Sequence, residues 1–165
     1  MTKRDNSLWH DLLNNLREQR RHIHALMRLS REQTRVLAEA DVERLAEITL
    51  QQAEHLDKLD TLESERIQIL RQLGEQAGLH AQAPTLSDCV HLAPEPLALT
   101  LKWLQQRLVQ DISDLQTLNE RNRLLVNQAA ETVNCWLAVV VSAANNQISY
   151  RPATAGVSVV LDTEV

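Results

Sequence analysis

Leu101-Lys102-Trp103-Leu104-Gln105-Gln106-Arg107-Leu108-Val109-Gln110-Asp111-Ile112 sets the rhythm that decides the fold, because Leu101, Leu104, Leu108 and Ile112 recur three or four residues apart. That spacing puts them on one face of an α-helix. The same rhythm continues through Leu115, Leu118, Leu125, Ala129, Val133, Trp136 and Val140, and it predicts a single helix over about residues 95–147. Nothing interrupts it. The three glycines and four prolines all lie between Gly74 and Pro96 or after Tyr150, so residues 1–73 and 97–150 contain no backbone breaker. Leucine fills 28 positions, Phe is absent and aromatics are 2% of the chain. Such a composition suits leucine layers between helices and argues against a sheet, which favours β-branched and aromatic residues.

Working outward, the N-terminal block carries Trp9, Leu16, Ile23 and Leu37 on a heptad, with Leu12, Leu13, Leu26 and Met27 in the intervening turns. A helix over about 7–40 is expected, capped by Ser7. Ser30 interrupts the seam, and Arg28, Arg31, Glu32 and Arg35 beside it read as a solvated face, so the far end is expected to be less tightly specified. At Glu39-Ala40-Asp41-Val42 the apolar phase resets. Asp41 is a candidate N-cap for a second helix over 42–73 bearing Leu45, Ile48, Leu59, Leu62, Leu70 and Leu73, with a tight antiparallel turn between the two. An unbroken helix through residue 41 is the alternative, since no Gly or Pro stops it. Residues 74–94 form a connector with no Lys or Arg, in which Thr85-Leu86-Ser87-Asp88 has the form of a capping box opening a short helix through Cys89 to Leu92. Pro94 and Pro96 suit the first turn of the third helix. The predicted fold is all-α: an antiparallel hairpin plus a third long helix, an elongated three-helix bundle or coiled coil forming one domain over 1–147, with a tail at 148–165.

The third helix measures roughly 75 Å against roughly 50 Å for each of the others. If it returns antiparallel to the second, its C-terminal part has no partner in the hairpin. Composition changes in the same place, because no Asp, Glu, Lys or Arg occurs between Glu131 and Arg151. Val133, Trp136, Leu137, Val139, Val140 and Val141 there point to more than one side of a helix, and such an end must be covered by something. Two readings stay open, ordinary bundle core and a partner-binding surface.

A formal net charge of −5 argues against binding nucleic acid over the whole surface. Cys89 and Cys135 form no CxxC pair and fit a reduced, cytoplasmic protein. The N-terminus lacks the apolar core of a secretory signal. The apolar run Cys135–Val141 is far shorter than the roughly 20 residues that span a bilayer, so no stable membrane insertion is expected. Glu-x-x-His, the di-iron signature of helical bundles, is absent, and His22 and His24, two apart, face different sides of a helix. No nucleophile motif or phosphate-cradling glycine loop occurs, so neither enzyme activity nor a cofactor is expected. Arg17, Arg20 and Arg21 are interrupted by Glu18 and read first as a solvated face.

Leu118-Asn119-Glu120-Arg121-Asn122-Arg123-Leu124-Leu125 lies on a long helix that ends shortly before Ile148-Ser149-Tyr150 and Gly156, and Leu59-Asp60-Thr61-Leu62-Glu63-Ser64-Glu65-Arg66 precedes the end of the second helix. In this order and spacing, over nearly the whole chain, the sequence resembles the FlgN family. The resemblance implies a cytoplasmic chaperone of the flagellar type III export system that holds the hook–filament junction proteins and delivers them to the export gate, with no nucleotide or metal. It implies that the client is received by the C-terminal part of the long helix, here Leu118, Asn119, Asn122, Leu125, Val133, Trp136, Leu137, Val140 and Val141. It also assigns Tyr150 to docking on the cytoplasmic domain of the export gate, against the alternative that the ring folds back as a cap contact. The tail after Gly156 is longer than the family pattern. A structural coiled-coil adaptor, whose apolar end closes a homodimer, is the competing reading. A nucleic-acid-binding arm along Arg17 to Arg35 is a third.

Overall fold

The computed structural model describes residues 3–78, 84–95 and 97–149, of which 93% are helical, with four helices and no strand among them. Chain order is α1 (Lys3–Glu39), α2 (Val42–Gln76), α3 (Leu86–Leu92) and α4 (Leu97–Ser149). The expected all-α hairpin plus long helix is what forms. Contacts divide the chain into two units, residues 1–126 and 127–165, with the division inside α4.

In the first unit α1 is the central helix. Trp9, Leu12, Leu13, Leu16, Ile23 and Met27 bury their side chains with Leu70 and Leu73 of α2, Cys89 of α3, and Leu101, Leu104 and Leu108 of α4. A smaller cluster of Leu29, Val36 and Ile48 closes the hairpin end. Cross-links between α1 and α4 advance together, Arg20 to Asp111, Ser30 to Asn119 and Thr34 to Asn122, so the two helices run parallel and α4 is antiparallel to α2.

The hairpin turn is a helix stop built without glycine. Asp41 N–H donates to Val36 O at 3.3 Å and Ala40 N–H to Leu37 O at 3.4 Å, the Schellman pairing that satisfies the last carbonyls of α1. That geometry needs a left-handed residue, and Ala40 adopts it at φ 55°. Asp41 then caps α2, its Oδ1 accepting from Arg44 N–H at 3.0 Å. Arg44 returns to Glu32 of α1 at 2.6 Å, tying the turn.

Helix ends differ from expectation in instructive ways. α1 starts at Lys3, before the anticipated cap Ser7, whose hydroxyl donates instead to Asp11 Oδ2 at 3.5 Å. α2 continues through Gly74 to Gln76, and the positive φ belongs to Gly78, at 76°. Gly74 serves another purpose: a Cβ there would meet Pro84 Cγ at 2.7 Å, so its missing side chain lets the connector close on α2. The Thr85 capping box forms as read, Asp88 N–H reaching Thr85 Oγ1 at 3.2 Å and Thr85 N–H reaching Asp88 Oδ2 at 2.8 Å. Pro94 O accepts from Leu97 N–H at 2.8 Å as α4 begins, two residues later than expected.

α4 also carries an apolar stretch longer than the run Cys135–Val141. Within Leu97–Ser142 an 18-residue window reaches a mean hydropathy of 1.4, long and apolar enough by length and composition to cross a bilayer. The sequence expectation counted only the strictly apolar run Cys135–Val141, whereas the window also averages its uncharged surroundings. None of that window is buried.

Candidate partner-binding surfaces

Ser30, which breaks the apolar seam, does not loosen the far end of α1. It is the hub of a polar layer. Its hydroxyl donates to Asn119 Oδ1 at 2.8 Å and accepts from Gln52 Nε2 at 3.4 Å, while its carbonyl accepts from Asn122 Nδ2 at 2.8 Å. Asn122 Nδ2 also reaches Gln33 Oε1 at 3.1 Å, and Thr34 Oγ1 donates to Asn122 Oδ1 at 2.6 Å. Ser30 is 1% exposed and Asn122 3% exposed. A buried amide with both ends bonded holds the helices in one register, because a shift would strand donors and acceptors in the interior. A second layer, unforeseen in the sequence, joins α1 to α2: Asn15 Nδ2 donates to Leu62 O at 2.9 Å and Gln19 Nε2 to Asn15 Oδ1 at 2.9 Å.

Over the Ser30 layer lies an open groove of about 390 Å³ whose apolar walls are Leu26, Leu56, Leu115 and Val126. Of the residues that the resemblance assigns to client binding, Asn119 and Asn122 border this groove and are bonded to α1. Leu118 is half-buried against the core, and Leu125 is half-buried.

Residues 127–142 belong to the second contact unit. Every one of them is exposed, including Val133, Leu137, Val140 and Val141, and Trp136 is 66% exposed. At 3.6 residues per turn Val133, Trp136, Leu137, Val139, Val140 and Val141 span roughly 200° of the helix, a face wider than a single stripe. No charged residue lies on α4 beyond Glu131. Apolar surface of this extent costs free energy in water unless something covers it. Tyr150 lies outside the described residues.

The histidines fall on different interfaces. His22 Nδ1 lies 2.9 Å from His55 Nδ1 across α1 and α2, and burial followed by the charge of His55 lowers the His22 pKa below its ordinary value. His24 turns to α4, with Nε2 2.9 Å from Asp111 Oδ2. Among the described residues no three His, Cys, Asp or Glu side chains come together as a metal site would require. Cys89 and Cys135 are both free thiols, the first buried and the second exposed.

These surfaces offer apolar area and fixed polar registers, the equipment of a binding protein. A sequence model described as FlgN protein matches residues 1–155. The chain belongs to the FlgN family of flagellar export chaperones. Comparison with curated proteins gave no match, nor did comparison with solved structures. For a FlgN-family chain the groove and the bare end of α4 are candidate client surfaces, both built on the helix that the sequence rhythm singled out.

Proposed function

We propose that this chain is a cytoplasmic chaperone of the flagellar type III export system, acting by binding and not by catalysis, which holds hook–filament junction proteins and hands them to the export gate. The observation that carries the reading is the exposure of Val133, Trp136, Leu137, Val140 and Val141 along one broad face of an uncharged stretch of α4. A client terminus that is disordered alone would fold an amphipathic segment against this stretch. The family resemblance also assigns Leu118, Asn119 and Leu125 to client contact, whereas Asn122 is held by α1. The ordering cost offsets part of the burial, leaving a complex that can be released, as delivery requires. Tyr150 docks the loaded chaperone on the cytoplasmic domain of the export gate, a role that rests on the family resemblance. No stable membrane insertion belongs to this reading, despite the apolar window of α4.

Calorimetry with purified hook–filament junction proteins tests it: saturable binding in a fixed ratio supports the reading, and absence of binding to every such protein sinks it. The bare end of α4 also suits a second copy of the chain, giving a coiled-coil adaptor or homodimer. Light scattering over a range of concentrations separates the two. A stable dimer that excludes client favours the adaptor.

A further inference from the structure

Away from the client stretch, Arg17, Arg20, Arg21 and His24 of α1 face Trp103 and Leu104 of α4 across an open cleft of about 410 Å³. Trp103 is 48% exposed although it stands beside the core residue Leu104. Two guanidinium groups lie over its ring, Arg20 at 5.2 Å and Arg107 at 5.7 Å from the centroid. Arg20 is fixed there by Asp111, Nε to Oδ2 at 2.7 Å. Burial pushes the Asp111 carboxyl up, yet the hydrogen bonds from Arg20 and His24 outweigh it and hold the pKa below the ordinary value. Asp111 therefore stays charged and neutralises the cation that it positions.

The other cations have more to give. Arg21 meets Glu18 at 2.6 Å, but both side chains are well exposed, and such pairs contribute little. Arg17 and Arg107 meet no carboxylate among the described residues. Four arginines thus border the indole against two carboxylates, on a chain whose net charge is −5. Exposed Trp and Arg around a concave surface are the residue types that anchor protein interfaces.

We propose that this cleft docks an acidic amphipathic helix of a second protein. One apolar side chain of that helix covers Trp103, and its carboxylates pair with Arg17, Arg21 and Arg107. Closing over the indole excludes water from these pairs, which strengthens them relative to the same pairs on an open surface. A polyphosphate fits less well, because it wants a cationic track and here Glu18 and Asp111 interrupt it. An anionic bilayer fits less well too, because the indole is flanked by guanidiniums and does not project alone. The cleft shares no residue with the client stretch of α4, so either assignment can fail without the other.

The test uses the full chain and a fluorescein-labelled helical peptide with a leucine stripe flanked by glutamates, read by anisotropy. The comparison probes are the same peptide with Gln for every Glu, a random-sequence DNA duplex, and phosphatidylcholine vesicles containing phosphatidylserine. The Glu peptide should bind roughly tenfold or more tightly than the Gln peptide, and Arg17→Glu or Arg107→Glu should each weaken it roughly tenfold. Trp103→Ala should do the same, with melting followed by circular dichroism. If Trp103→Ala fails to fold, the two charge reversals at exposed side chains carry the test. Equal binding of the two peptides, or retention by both arginine variants, overturns the proposal. So does DNA or vesicle binding that exceeds peptide binding and vanishes in the same variants.

Discussion

In α4 the amide of Asn122 is sealed from solvent, while the indole of Trp136, further along the same helix, stands two-thirds bare. Polarity alone would place them the other way round. Asn122 is buried because Ser30, Gln33 and Thr34 of α1 satisfy it, so its desolvation is offset group by group. Trp136 is bare because no described residue covers it. Burial in this helix therefore follows the presence of a partner, and where apolar side chains lack one within the chain, the partner is to be sought outside it.

The contrast can be broken at several points. The largest effect is expected where α4 enters the core: Leu101→Ala, at a fully buried position, should cost about 3 kcal/mol of stability in denaturant titration. A loss below 1 kcal/mol, within the range of ordinary surface changes, would mean that this part of α4 is less firmly docked than its burial indicates. Next comes Trp136→Ala, for which client affinity should fall by about 2 kcal/mol in calorimetry. Its stability should stay within about 0.5 kcal/mol of the parent chain. A collapse in melting temperature with unchanged affinity of the folded fraction would make Trp136 core. Asn122→Ala removes the bonds from Nδ2 to Ser30 O and Gln33 Oε1 and the acceptor of Thr34 Oγ1, and should cost about 1.5 kcal/mol of stability, with little change in client affinity if the residue serves register alone. A selective loss of affinity would move it to the client surface. The smallest effect is a gain: Ala40→Gly removes the strain of a left-handed alanine and should raise stability by about 0.5 kcal/mol, leaving client affinity alone.

Features governed by neighbours in sequence were legible. The Asp41 cap, the Thr85 capping box and the leucine rhythm of α4 each depend on residues within a turn or two, and each forms. The start of α1 is not legible in the sequence, because a serine with capping chemistry is only a preference and residues 3–6 carry nothing that stops a helix. Gly74 looked like a terminator, but glycine permits a turn without requiring one, and the reason for it is Pro84, outside its local sequence. The polar layers were least legible. Ser30 meets Asn119 and Asn122 across about ninety residues of chain, and that pairing exists only once the register of α1 against α4 is set. Length and charge mark the bare helix end in the sequence, whereas the cleft at Trp103 exists only where Arg20 and Arg107 converge on one ring.

The two thiols differ in a way that matters at the bench. Burial, and after it the charge of Asp88, pushes the Cys89 thiol up to about 11, so it neither ionises nor meets a reagent near neutral pH. Cys135 is open to solvent one residue before Trp136. The native chain thus offers a single addressable handle inside the stretch whose occupancy is at issue. A maleimide dye placed there reports, by its brightness and its access to a soluble quencher, when anything settles on that helix and how quickly it leaves.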